Sequence, residues 1–251
     1  AARVVRKIVG RASLGSLSAK DRKSIAKFVA VQSFRTKSFF EGLGGVNESE
    51  FGKTFEMLWE SAFLVASEIE NRKWLLMKIE GDEVFYLGDH PVVLQDTENP
   101  SRPQSLGFDV KGVEAFLPLD PKHALYMPSR STTDEVISSL ENGQKVVEIV
   151  RRAKAVGAIP LGMNTSEICT MEKLIDRNRG LYDAITLGAP FRSTLANIEN
   201  INYLQIKFSH ESIFSNRMPF AFAKKVLSNT PEHQATLKTS VFEIGDSEGT
   251  D

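Results

Sequence analysis

Residues 113–127, VEAFLPLDPKHALYM, decide the fold class of this chain of 251 residues. They place two apolar runs of strand length, Val113–Leu119 and His123–Met127, on either side of Asp120-Pro121. Asp-Pro is typical of a turn, and an apolar run on each side of a turn predicts two adjacent antiparallel strands. We therefore expect the centre of the chain to form a small sheet.

A second pair of strands is expected upstream of this hairpin. Lys73–Glu80 and Glu83–Leu87 flank Gly81-Asp82, a dipeptide that favours a two-residue hairpin turn. Two shorter extended pieces follow, Val92–Leu94 and, much later in the chain, Ser212–Phe214.

Helix signals lie before and after the strands. Ser18 followed by Asp21 resembles a capping box and predicts a helix from Ala19 to Leu43. A second helix is expected from Glu48 to Asn71, because apolar residues recur there at spacings of three and four. Later helices are predicted over 132–156, 166–176 and 193–208. The expected fold is therefore α+β, with an N-terminal helical pair packed on a small antiparallel sheet and further helices after it. The stripe of the second helix consists of Phe51, Phe55, Leu58, Ala62, Val65 and Ile69.

Composition excludes several classes of protein. Apolar residues make up 41% and charged residues 25% of the chain, which is ordinary for a globular protein. There is no apolar run of about 18 residues, so we expect no membrane span and a cytoplasmic protein. The single cysteine, Cys169, excludes a disulfide framework, and the four histidines show no metal-ligand spacing. The sequence identifies no cofactor.

The expected domain covers residues 1–230, and a polar tail follows over 231–251. The chain starts at Ala1 without methionine, and its basic, apolar start lacks the features of a secretory signal. We expect from this that the chain begins inside a longer protein.

The net charge of −1 hides a gradient along the chain. Residues 1–40 carry ten basic residues and one acid, whereas residues 41–100 carry four basic residues and thirteen acids. The two stretches can neutralise each other inside the fold. Alternatively, the basic stretch can bind an anionic ligand or a nucleic acid, because phosphate groups attract lysine and arginine side chains.

The first predicted helix carries an arginine on its apolar face. The stripe of this helix passes through Gln32, Arg35 and Thr36 in its middle turn. A buried charge without a partner costs several kcal/mol or more. Arg35 therefore predicts a partner, which is either a carboxylate or carbonyl of the protein or a ligand anion.

Gly88-Asp89-His90-Pro91 directly follows an apolar run. Sites often lie in such turns, and a carboxylate and an imidazole supply both types of acid–base group, so Asp89 and His90 are the candidate catalytic residues. Adjacent side chains of an extended segment point in opposite directions, so each needs a partner elsewhere. The alternative is a structural turn in which Asp89 accepts backbone N–H bonds.

Four segments of the chain resemble, in their order, the bacterial family of domain of unknown function 4238. The resemblance covers about residue 20 to residue 216 and is to the C-terminal portion of the family domain, which implies that the domain lacks an upstream segment. Gly88 and Asp120 differ from the family pattern, because serine is common at both positions. The segments are Gln32-x-x-Arg35-Thr36, Gly88-Asp89-His90-Pro91-Val92, Pro118-Leu119-Asp120-Pro121-Lys122-His123-Ala124-Leu125, and Asn202-x-x-Gln205-Ile206 leading to Ile213-Phe214-Ser215.

The resemblance implies no activity, but it implies that these segments meet at one place. We expect Arg35 to face Asp89 there. The candidate binding residues are Gln32, Arg35, Asn202 and Gln205. The residues expected to gather are Gln32, Arg35, Asp89, Pro91, Pro118, Pro121, Asn202 and Gln205.

Three functions are compatible with these residues. The first is a binding or regulatory module whose buried polar cluster holds two layers together. The second is a hydrolase or nuclease-like enzyme acting on a phosphate-containing substrate, with Asp89 or His90 as acid or base and Arg35 holding the anion. The third is nucleic-acid binding through the basic N-terminal stretch. The first ranks slightly ahead, because the sequence contains no complete catalytic constellation.

Overall fold

The computed structural model describes residues 1–34, 51–99, 107–155, 179–216 and 220–229. Its helices are α1 (Ala2–Arg11), α2 (Ala19–Phe34), α3 (Phe51–Asn71), α4 (Arg130–Ala155), α5 (Leu195–Phe208) and α6 (Ala221–Asn229), and residues 179–187 are also helical. Its strands are β1 (Leu75–Lys78), β2 (Leu87–Gly88), β3 (Val93–Asp96), β4 (Val113–Pro118), β5 (His123–Met127), β6 (Pro190–Arg192) and β7 (Ile213–Phe214). None of these described helices combines the length and the apolar character needed to cross a bilayer.

A five-stranded sheet in the order β3-β4-β5-β1-β6 forms the centre of the fold. The predicted hairpin over residues 113–127 is confirmed, since β4 and β5 pair in antiparallel register. Its turn is closed by Asp120, whose Oδ1 accepts the backbone N–H groups of Lys122 and His123, each at 2.7 Å. The sheet is mixed rather than wholly antiparallel, because β1 and β6 run parallel.

Helices cover both faces of this sheet. Helices α1, α2 and α3 pack on one face, and α5 packs on the other. Alternation along β5 separates the two faces, because Leu125 packs with α2 and α3 whereas its neighbour Ala124 packs with α5. The α+β class is therefore confirmed. The first cluster includes Val4, Ile8, Ile25, Val29, Ile69, Leu76, Leu117 and Leu125, and the second includes Met77, Val93, Phe116, Ala124, Ile198, Ile201 and Leu204.

The second predicted hairpin, over residues 73–87, is wrong. Strand β1 pairs with β5 and β6, whereas the two-residue strand β2 pairs with β7. The backbone of residues 84–86 is bonded elsewhere, because the side chain of Asn202 takes the carbonyl of Val84 and the N–H of Tyr86. The N–H of Phe85 donates to the carbonyl oxygen of Pro121 at 2.9 Å. Residues 81–82 therefore turn the chain without joining two paired strands.

The helix predictions hold over the described residues, with three additions, one of which is the helical stretch over residues 179–187. Helix α2 begins where the capping box predicted it, since Ser18 Oγ accepts the N–H of Asp21 and the carboxylate of Asp21 accepts the N–H of Ser18. Helices α1 and α6 were not predicted, and α1 is amphipathic with Val4 and Ile8 buried. The predictions over 35–50 and 156–178 lie outside the described residues, as does the polar tail.

Candidate functional site

Helix α5 holds the chain that follows β1 through two buried side-chain amides. The first is Asn202, which is 5% exposed. Its Oδ1 accepts the N–H of Tyr86 at 2.7 Å, and its Nδ2 donates to the carbonyl oxygen of Val84 at 2.9 Å. A carboxamide presents an acceptor and a donor side by side, which matches the N–H and C=O groups of an extended backbone. Asn202 thus satisfies backbone groups that a neighbouring strand would otherwise pair.

Gln205 repeats this interaction one helical turn later, and its side chain is fully buried. Its Oε1 accepts the N–H of Gly88 at 2.7 Å, and its Nε2 donates to the carbonyl oxygen of Pro91 at 3.0 Å. The spacing of three residues places both amides on one face of α5. Asn202 and Gln205 together fix residues 84–91, which are called the clamped segment below.

Asp89 joins the clamped segment to the chain that follows α5. Its Oδ1 accepts the N–H of His210 at 2.9 Å, and its Oδ2 accepts the N–H groups of Glu211 and Ser212 at 2.6 and 3.2 Å. Its own N–H donates to the carbonyl oxygen of Ser212 at 3.0 Å. Asp89 therefore accepts backbone N–H bonds, as in the alternative of a structural turn. The N–H groups belong to residues 210–212, however, and not to the turn that contains Asp89.

His90 lies half-buried beside the end of α5. Its ring packs edge-on against Phe208, with 6.3 Å between the ring centroids. Burial lowers the pKa of His90, while the carboxylate of Asp89 acts in the opposite direction. The Nδ1 atom is buried and has no hydrogen-bond partner among the described residues. Burial therefore favours the neutral ring.

The turn of the central hairpin meets the clamped segment at Phe85, whose N–H donates to Pro121. In the same turn, the Nδ1 of His123 lies 3.0 Å from both carboxylate oxygens of Asp120. The side chain of His123 is 12% exposed, and its Nε2 is buried without a partner in the described part of the chain. The turn at Pro121 thus meets the clamped segment at Phe85, and Gln205 of α5 bonds the same segment at Pro91.

The candidates of the first predicted helix, which is α2 of the structure, are not seen to join the clamped segment. Gln32 is half-buried near the end of α2, and no hydrogen bond of the described residues links its amide to the clamped segment. Arg35 and Thr36 lie outside the described residues, so the pairing of Arg35 with Asp89 stays a prediction. Pro118 is buried at the end of β4. Within the described ranges, no three His, Cys, Asp or Glu side chains form a group that could bind a metal ion.

A buried guanidinium just after α3 was missed by the sequence predictions. Arg72 is 4% exposed, and it donates through Nη1 to the carbonyl oxygen of Val113 at 2.7 Å and through Nη2 to that of Phe108. Burial lowers the pKa of Arg72, and the carboxylate of Glu68 is the strongest opposing charge. The stripe of α3 contained the signal, because the position three residues after Ile69 falls on Arg72.

Glu114 of β4 is a buried carboxyl that the sequence predictions also missed, since it stands inside an apolar run. It is 6% exposed. Burial raises the pKa of Glu114, whereas hydrogen bonds with Tyr126 and Thr132 and the charge of Arg72 act in the opposite direction. Burial also raises the pKa of Tyr126, and Glu114 adds to that rise.

The four motif segments fall inside a single family match. The family described as protein of unknown function DUF4238 matches residues 1–218. The chain belongs to DUF4238. The match covers essentially the whole chain and includes α1, so the expected range from residue 20 and the expected restriction to a C-terminal portion are both too narrow. No curated protein and no solved structure matches the chain.

Proposed function

We propose that this DUF4238 protein is a non-catalytic binding module whose ligand is nucleic acid, and that the polar cluster is its scaffold. The side chains of Asn202, Gln205 and Asp89 bond backbone groups of the protein itself, which supports a scaffold role over catalysis. The ring of His90 makes no described hydrogen bond to an acid–base partner, so the enzymatic alternative has less support. The predicted cytoplasmic location, which stays a prediction, is compatible with such a ligand.

The proposal depends on one observation, a group of exposed basic side chains on α1 and on the first turns of α2. Five exposed lysines and arginines lie there, and none of them bonds a carboxylate among the described residues. Such side chains are free to contact phosphate groups. These residues, called the basic surface below, are Arg3, Arg6, Arg11, Lys20 and Lys23.

The other cations of the two helices are engaged within the protein. Lys7 donates to Asp21 at 2.6 Å, and this bond is the main cause that lowers the pKa of Asp21 to about 2. Arg22 stacks over Trp74 at 4.2 Å from the ring centroid, and Lys27 lies 4.9 Å from the ring centroid of Phe63.

Internal neutralisation is seen in the described ranges only as the attraction between Arg22 and Glu70, and Arg22 is not part of the basic surface. None of the described salt bridges joins residues 1–34 to the acidic stretch 51–99. The charge of the basic surface is therefore available to an external partner.

The test is binding of the full chain to fluorescently labelled single- and double-stranded DNA and RNA, measured by anisotropy at low salt. In the test variant, four residues of the basic surface are changed: Arg3→Gln, Arg6→Gln, Lys20→Gln and Lys23→Gln. We expect its affinity to fall by about tenfold or more, because each lost phosphate contact removes counterion release.

The matched control variant is Lys224→Gln with Lys225→Gln, since both side chains are exposed on α6, away in sequence from the basic surface. It should bind as the unchanged protein does. Equal loss in both variants, or no binding of any labelled oligonucleotide at low salt, would overturn the proposal.

A further inference from the structure

Two aromatic side chains of α3 stand together on the surface. Trp59 is 50% exposed and Phe63 is 45% exposed. The spacing of four residues places them on one side of the helix, and their rings meet edge to face with 5.4 Å between the centroids. Large aromatic side chains are mostly buried in folded proteins, so this exposed pair, called the aromatic pair below, marks a surface on which a partner can pack.

A lysine of α2 connects the aromatic pair to the basic surface. The ammonium of Lys27 lies over the ring of Phe63, 4.9 Å from its centroid, and Lys27 is exposed. The spacings of three and four residues place Lys20, Lys23 and Lys27 on one side of α2. The first and the last of them are about 10 Å apart along the helix axis. A row of three lysines therefore leads from the basic surface to the aromatic pair.

The charges around Trp59 differ between the two helices. The lysines lie on α2, whereas the exposed acids near Trp59, Glu56 and Glu60, lie on α3. A phosphate group is attracted to the lysines and repelled by the carboxylates, so a polyanion is favoured along α2 and not along α3. The indole at the end of the row then faces whatever the polyanion carries beside its phosphates.

A single strand of nucleic acid fits both features. Its phosphates can follow the lysines, and an unstacked base can lie on an aromatic ring. In a duplex the bases are stacked on one another between two backbones, so no base face is available to an indole. The combination of a lysine row with an exposed tryptophan therefore favours single strands over duplexes.

We propose that the nucleic acid bound by this chain is single-stranded and that one of its bases stacks on Trp59, an inference that rests on the proposed function. The phosphates next to that base contact the lysine row. Phe63 is a positioning residue, because it touches both the indole of Trp59 and the ammonium of Lys27. The ammonium has three N–H donors, so its contact with the ring leaves donors for a phosphate oxygen.

The experiment compares the affinity of the full chain for a labelled single-stranded oligonucleotide and for the duplex of the same length, by anisotropy at one salt concentration. We expect the single strand to bind about tenfold or more tightly, and Trp59→Leu to remove this preference, since base stacking contributes about that much. Leu64→Ala is the matched control, because Leu64 is a 75% exposed apolar residue of the same helix, and it should keep the preference. Equal loss in both variants would indicate a general apolar docking surface and would overturn the inference.

Tryptophan fluorescence reports the stacking in the unchanged protein. The chain has two tryptophans, and the other one, Trp74, is 4% exposed and lies under the guanidinium of Arg22. A single strand should therefore quench the emission of Trp59 alone, and the quench should be absent in Trp59→Phe, which should keep the preference for single strands. Binding of the single strand without any change in emission would overturn the inference.

The dependence on salt separates this inference from the proposed function. Trp59→Leu removes no charge, so its affinity should depend on salt as that of the unchanged protein does, whereas the variant lacking four cations should lose affinity for single strand and duplex alike. Equal affinity for the two forms would overturn this inference and leave the proposed function unaffected. Binding of neither form would overturn both.

Discussion

Gly88 lies against Ser209 so closely that a side chain at position 88 would have to displace the Ser209 hydroxyl. A Cβ on Gly88 would lie far inside van der Waals contact of the Ser209 Oγ, and 3.1 Å from both oxygens of Gln205. The Ser209 hydroxyl occupies that position because it donates to the carbonyl oxygen of Gln205 at 2.6 Å. The close approach of the clamped segment to α5 thus explains why glycine stands at position 88.

The first prediction concerns this contact. Gly88→Ala should destabilise the protein by about 1 to 3 kcal/mol, because the methyl group forces the segment away from α5. Ser209→Ala alone removes one hydrogen bond, and we expect it to cost about 1 kcal/mol. The double variant should be more stable than the sum of the two changes indicates, as measured by urea unfolding. Strict additivity would show that the two residues do not compete for the same space.

The second prediction concerns the amide clamp. Asn202→Ala leaves the N–H of Tyr86 and the carbonyl of Val84 buried without partners, so the free energy of unfolding should fall by about 2 to 4 kcal/mol. Asn197→Ala serves as the control, since Asn197 is an exposed residue of the same helix. A loss for Asn202→Ala no larger than that of the control would show that the clamp does not stabilise the fold.

The third prediction is a dependence of stability on pH that comes from His90. Burial lowers the pKa of His90 in the folded protein, so the unfolded chain binds the proton more readily. Stability should therefore fall as the pH drops below about 6.5, the ordinary value of a histidine, towards the lower folded value. The midpoint of thermal unfolding, measured from pH 8 to pH 5, should show this fall. His90→Phe should flatten this dependence on pH, and the control His210→Asn should leave it unchanged. A slope that is unchanged in His90→Phe would assign the dependence to another group.

The fourth prediction concerns the buried guanidinium. Arg72→Met should lower the free energy of unfolding by about 2 to 4 kcal/mol, because the carbonyl oxygens of Val113 and Phe108 lose their donor. Arg130→Met removes an exposed pair with Glu68 and should cost less than about 1 kcal/mol. Chemical denaturation of the two variants makes the comparison, and similar losses would mean that Arg72 contributes no more than a surface charge.

The sequence predicted those parts of the fold that are encoded locally. The hairpin over 113–127 and the start of α2 follow from neighbouring residues, namely an Asp-Pro turn and a capping box. The hairpin over 73–87 could not be predicted correctly, because its backbone is bonded by Asn202, which lies more than a hundred positions further along the chain.

The candidate site divides in the same way. The resemblance placed Asn202, Gln205 and Asp89 near one another, but the residues alone did not show that they bond backbone rather than a ligand. The burial of Arg72 could have been predicted from the sequence, since the apolar stripe of α3 extends to this residue. The burial of Glu114 could not have been predicted, because a charged residue on a strand ordinarily indicates a solvent-exposed face.

The most direct test of the proposed function is the salt dependence of nucleic-acid affinity, measured by anisotropy on the unchanged protein and on the variant lacking four cations of the basic surface. We expect the logarithm of the association constant to fall linearly with the logarithm of the salt concentration, with a slope of about −3 or steeper. In the variant, the slope should be less negative by about three. An affinity that does not change with salt, or the same slope in both proteins, would contradict the proposal that the basic surface binds phosphate groups.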